Sequence, residues 1–141
     1  MDWHFATAFE IIADEIGDSP ALICDGVTRT WTQYDDRAAK IAAILVAHGL
    51  GPESKVGIYL HNSNEYLEAH HGVMKLRGCP INVNYRYREE ELVYLLNNAD
   101  AQAVIFQSDY ADRIEAIKSK LTGIRCFIQV GINGSRRHID G

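Results

Sequence analysis

The segment Asn84-Tyr85-Arg86-Tyr87-Arg88 carries the densest chemistry in the chain, two guanidinium groups two residues apart interleaved with two phenols. A guanidinium offers a planar pair of donors that matches a phosphate or carboxylate, so Arg86 and Arg88 can hold an anionic ligand. The same two residues serve equally to brace a sheet and cap a helix. Ser108 and Asp109 follow an apolar run and read as a helix cap rather than a catalyst. Adjacent His70 and His71 make a poor metal pair, because neighbours on a helix diverge by about 100°. His70 falls on the stripe of Tyr66, Val73 and Met74 and is expected in the core, with His71 the more exposed of the two. His48 and His61 have no partner at a ligand spacing. Cys24, Cys79 and Cys126 form no CxxC pair and each lies in an apolar run, so buried thiols are expected in place of zinc ligands or disulfides. No catalytic and no metal-binding residue is assigned on these grounds, and the cofactor-binding positions stay open.

Several familiar phosphate and nucleophile devices are missing. The segment His61-Asn62-Ser63-Asn64-Glu65 contains no glycine, whereas a GxGxxG turn needs glycines for the backbone to approach a pyrophosphate. Gly49 and Gly51 precede a strand instead of following one. The sequence has no GxxxxGK[ST] loop and no GxSxG elbow. Receiver-type acidic residues after the first and middle strands are absent too. The net charge of −5 gives no electrostatic reason to bind nucleic acid or an anionic membrane. The N-terminus lacks a basic segment followed by an apolar core, and the longest apolar stretch, 41–47, is far short of the roughly 20 residues of a membrane span. A cytoplasmic location is expected.

The elements that must position these groups follow from spacing. With 47% hydrophobic and 23% charged residues among 141, the chain suits one globular domain or part of one. A helix is predicted over 5–16, its apolar stripe formed by Phe5, Phe9, Ile12, Ala13 and Ile16 and its end set by Gly17. A hairpin of 21–24 and 27–31 turns at Asp25-Gly26, a pair suited to the two positive φ angles of a type I′ turn. Thr32 is expected to cap a long helix that buries Tyr34, Ala38, Ile41, Ala42, Leu45 and Val46 and stops at Gly49. Strands beginning near 56, 79, 101 and 126 then alternate with helices over 63–76, 89–97 and 110–121. These short apolar strands show little alternation, as expected where helices cover both faces. The fold class is therefore α/β, a mostly parallel sheet with helices on both faces, preceded by a helix and a short β-hairpin.

Two ordered segments carry a resemblance. Arg29-Thr-Trp-Thr-Gln-Tyr-Asp-Asp-Arg-Ala38 resembles the first core motif of the adenylate-forming superfamily, and Met74-Lys-Leu-Arg-Gly-Cys-Pro-Ile-Asn-Val-Asn-Tyr-Arg86 resembles its second, in the form common among fatty-acyl and related CoA ligases. Gly49-Leu-Gly-Pro, Val56-Gly-Ile-Tyr-Leu60 and Asn64-Glu-Tyr66 lie between them in the usual order, and Leu96-Asn-Asn-Ala-Asp100 continues it. The resemblance covers about residues 5 to 130. It implies the N-terminal part of an acyl-CoA synthetase, joining a carboxylate to AMP and then to coenzyme A with ATP and magnesium. It also implies what this chain does not encode: the serine/threonine/glycine-rich phosphate loop, the adenine-contacting aromatic-threonine-glutamate segment, the ribose-binding aspartate and the lid lysine. Residues 1–130 are then an incomplete N-terminal subdomain and 131–141 a polar tail. No cofactor is expected to bind this chain alone, and its expected partners are the remainder of the ligase, a fatty or other carboxylic acid, or a second copy through self-association. His70 and His71 stand where relatives often carry aliphatic residues, which implies looser packing there. A non-catalytic binding module derived from the same fold is the alternative.

Overall fold

The computed structural model describes residues 3–131; the expected polar tail lies outside them apart from Gly131. Helix α1 (Phe5–Ile16) and the hairpin β1 (Pro20–Cys24) and β2 (Val27–Thr30) come first, followed by α2 (Trp31–Ala47). Four strands then alternate with helices: β3 (Lys55–Tyr59), α3 (Asn64–Lys75), β4 (Cys79–Asn82), α4 (Glu89–Asn98), β5 (Ala103–Gln107), α5 (Ala111–Ile117) and β6 (Cys126–Val130). A 3₁₀ turn at Ser108–Tyr110 leads into α5 and another at Lys118–Lys120 leaves it.

The hairpin turns as expected, with Asp25 and Gly26 at φ of 51° and 78°. The start of α2 does not. Thr30, not Thr32, is the cap: its hydroxyl accepts from the Gln33 amide at 3.2 Å while the Gln33 side chain accepts from the Thr30 amide at 2.9 Å. This reciprocal box satisfies two donors at once, which an isolated threonine at 32 cannot. Gly17 ends α1 as expected, with φ of −52°. A Cβ there would stand 2.3 Å from Thr32 Oγ1 and 2.7 Å from the Ala13 carbonyl; the glycine lets α1 abut the start of α2. The stripes also shift. Phe5, Ile16 and Val46 are exposed, and the fully buried face of α1 is Ala6 and Ala13. Small side chains bring α1 close to its neighbours, and Phe9 is the large apolar group that packs against α2 and α3. Cys126 is buried, but Cys24 is half-buried and Cys79 exposed, because β4 lies at an edge of the sheet.

The sheet is entirely parallel, in the order β4-β3-β5-β6. Val56, Ile58, Ala103, Ile105, Cys126 and Ile128 face the α2 and α3 layer. Tyr59, Val104 and Phe106 face α4 and α5, meeting Leu92, Leu96, Ile114 and Ile117. Helices thus cover both faces. The chain moves from β3 to β4 in one direction and from β4 across to β5 in the other. Crossovers of one hand then require α3 and α4 on opposite faces, as they are. The connections leaving β3 and β5 diverge, which makes the carboxyl ends of those two strands the switch point of the sheet.

Candidate functional site at the carboxyl edge

This carboxyl edge collects aromatic and basic groups from three separate parts of the chain. Tyr59 ends β3, and His61 follows two residues later. The loop Asn84–Arg88 follows β4, while Tyr110 and Arg113 lie beyond β5. The His61 ring reaches the Tyr110 hydroxyl with Nε2 at 2.6 Å and stands edge-on to Tyr85 at 6.0 Å. Tyr110 stacks on Tyr59 with centroids 4.5 Å apart, and the Arg113 guanidinium lies 5.0 Å over the Tyr110 ring. Burial raises the Tyr59 and Tyr110 phenols above their usual range, so both remain neutral hydrogen-bonding groups near neutral pH.

Arg86 and Arg88 are both exposed here. Arg86 lies over the Tyr85 ring at 5.6 Å, and neither arginine is in an ion pair among the described residues. The Arg88 amide donates to the Glu91 carboxylate at 3.0 Å; the loop's bond to α4 is therefore made by backbone, leaving the guanidinium outward. Sequence reasoning thus located the loop, but His61, assigned no partner, joins it through Tyr110. Tyr59 and Arg113 were missed, because a tyrosine in an apolar strand reads as core and an arginine on a short helix as solvated.

The other candidates fall elsewhere. Ser108 is buried and Asp109 exposed, and neither supplies a side-chain cap to the helical turn beyond β5. His48 closes α2, its Nδ1 2.9 Å from the Ile44 carbonyl. The histidine expectation is reversed: His71 is buried and His70 half-buried. His71 packs against Phe9 and Tyr34, with centroids 5.3 and 5.0 Å away, so packing here is not loose. Its Nε2 meets Asp35 Oδ1 at 3.2 Å, and Lys75 bonds the same oxygen at 2.8 Å. Burial holds the His71 pKa below its ordinary value, and the nearby Lys75 pushes the same way against the Asp35 hydrogen bond.

Beside it lies a charged cluster that no motif announced. Glu68, 1% exposed, pairs with Arg37 through Nε and with Arg29 at 3.4 Å. Burial raises its pKa while both arginines oppose the shift. Tyr34 is driven up to about 12, first by burial and then by Glu68 and Asp35; its hydroxyl donates to the Leu67 carbonyl at 3.3 Å. The only available signal was the spacing of Glu68, His71 and Lys75 on one helix face, polar where a buried face should be apolar.

The turn after β3 does not fit a magnesium triphosphate. The turn after β3 ends in Ser63, whose oxygen already accepts from the Tyr66 amide at 3.3 Å, and buried Asn64 donates to the Val27 carbonyl at 3.0 Å. No cluster of three His, Cys, Asp or Glu capable of holding a metal occurs among the described residues. A cavity of about 390 Å³ does open at the opposite, amino edge, between Lys55, Asp100, Gln102 and Arg125. It has no part in the carboxyl-edge cluster.

The fold is an open α/β domain whose switch point carries the exposed Arg86 and Arg88. The chain belongs to the AMP-binding enzyme family, which it matches over residues 9–137. It is 40% identical over 114 residues to a 3-oxocholest-4-en-26-oate–CoA ligase of Rhodococcus rhodochrous, covering 81% of this chain and 20% of that protein. It is 34% identical over 127 residues to a medium/long-chain-fatty-acid–CoA/3-oxocholest-4-en-26-oate–CoA ligase of Mycobacterium marinum, covering 90% and 23%. A long-chain-fatty-acid CoA ligase structure from Rhodopseudomonas palustris superimposes with a TM-score of 0.85 at 26% identity, over 92% of this chain and 33% of that one. This chain therefore corresponds to an N-terminal part of an acyl-CoA synthetase. It spans about a fifth to a quarter of the length of these curated relatives.

Proposed function

We propose that this chain is the scaffold-bearing N-terminal portion of an AMP-forming acyl-CoA ligase and is inactive alone. The full reaction would join a carboxylate to AMP from ATP, releasing pyrophosphate, and then transfer the acyl group to the coenzyme A thiol with loss of AMP. The observation that carries this reading is the match over residues 9–137 to ligases of which this chain covers 20% and 23%. Residues 1–130 are read as an incomplete subdomain and 131–141 as a polar tail. The partner implied is the remainder of the ligase.

The carboxyl edge is the face this portion turns toward the reactants, with Arg86 and Arg88 available to a phosphate or carboxylate group. The names of the relatives support a large hydrophobic carboxylic acid, fatty or steroid-derived, as the substrate class. No helix among the described residues is long and apolar enough to cross a membrane. ATP–pyrophosphate exchange tests the reading. The 141-residue chain should show none with any fatty acid, whereas a polypeptide extended by the phosphate loop, adenine segment and lid should exchange. Exchange by the short chain would overturn it.

A further inference from the structure

We propose that Tyr59 and Arg113 are positioning residues that clamp the loop after β4 so that Arg86 and Arg88 face outward together as one anion-holding pair. The inference rests on the reading of the carboxyl edge given above. Tyr59 is 0% exposed, and its hydroxyl lies beneath the loop, donating to the Tyr87 carbonyl at 2.7 Å with the Tyr85 carbonyl at 3.4 Å. Arg113 Nη1 donates to that hydroxyl at 2.9 Å and reaches the Tyr87 carbonyl at 3.3 Å. The carbonyls of residues 85 and 87 are thus turned inward, while the guanidinium groups of the alternate residues 86 and 88 stay exposed. Asn84 finishes the loop, its side chain accepting from the Arg86 amide at 2.9 Å and its carbonyl from the Tyr87 amide at 3.0 Å. A buried phenol bound to a guanidinium is costly where a phenylalanine would fill the same space without a polar atom to satisfy. What the polar pair adds is directional: it fixes two carbonyls that no strand partner holds. The guanidinium is in turn held over the Tyr110 ring, which ties the clamp to His61.

The test follows amide hydrogen exchange and binding of inorganic pyrophosphate by the 141-residue chain. Tyr59→Phe and Arg113→Gln should speed exchange of amides 84–88 about tenfold with β5 amides unchanged, and should weaken pyrophosphate binding about tenfold. Arg113→Lys, which keeps the charge but not the planar donors, should recover little of either and guards against a variant that fails to fold. Arg86→Ala with Arg88→Ala should abolish pyrophosphate binding without moving exchange in β5. Unaltered exchange in both clamp variants would remove the clamp. Faster exchange with unaltered pyrophosphate affinity would reduce it to a brace. If the unsubstituted chain binds no pyrophosphate, the anion reading of the edge falls and the positioning role falls with it, whatever exchange shows.

Discussion

Glu68 shows what a single buried charge asks of its surroundings. Its carboxylate lies between Arg29 and Arg37, and removing it leaves Arg37 without a counter-charge and Arg29 with only Glu65 at 3.9 Å. Glu68→Ala is expected to cost about 3 kcal/mol, read as a lower urea midpoint with an unchanged slope. His71 supplies the pH dependence. The unfolded chain takes up a proton at the ordinary value of 6.5, while the buried ring, its pKa lowered, resists protonation until more acid conditions. The unfolded state therefore binds more protons as pH falls through that window, and stability present above it is lost below. Half-buried His70, lowered by burial too, acts in the same direction, while Glu68, its pKa raised, opposes both. Urea midpoints from pH 8 to pH 5 should fall, and His71→Gln should flatten that fall without abolishing it. A His71→Gln midpoint that falls as steeply with pH as the parent's would contradict the buried neutral imidazole.

The elements are tied at their ends and at their closest approaches. The capping box makes Thr30 the start of α2, and Thr30→Ala should cost about 1 kcal/mol in thermal or chemical unfolding, whereas Thr32→Ala should cost much less. Where α2 and α3 cross, a Cβ on Gly72 would lie 2.9 Å from both the Ala38 carbonyl and Ile41 Cβ. One of these neighbours is backbone and cannot rotate away. Gly72→Ala is therefore expected to destabilise by about 2 kcal/mol through overpacking, despite the better helix propensity of alanine. The first of the two family-like motifs now has a physical role. Arg29, Thr30, Tyr34, Arg37 and Ala38 cap α2, seat it against α3 and neutralise Glu68. These contacts give the motif a part in building the scaffold.

For the whole molecule, the relevant fact is proportion. The chain spans about a fifth to a quarter of the curated ligases it resembles, and several large apolar groups remain exposed, among them Trp3 at 71%, Ile23 at 72% and Tyr94 at 71%. Studied alone, the 141-residue chain should bind a hydrophobic dye and sediment faster than a 15.8 kDa monomer. A sharply melting monomer that binds no dye would favour the alternative of a self-sufficient binding module.

Periodicity and turn chemistry were enough to determine the alternation of elements, the type I′ hairpin and the α/β class. Those are local properties: apolar spacing and φ preferences act between residues a few positions apart. The same local view misplaced the α2 cap by two residues and exchanged the environments of His70 and His71. A helix face is known from sequence only up to a rotation, and α1 and α2 decided which histidine was covered. Strand order, and with it the carboxyl-edge cluster, belonged wholly to the tertiary level. Tyr59 and Arg113 are 54 residues apart, and nothing short of the crossover from β4 to β5 brings a strand-end phenol beneath one loop and beside the helix after the next strand.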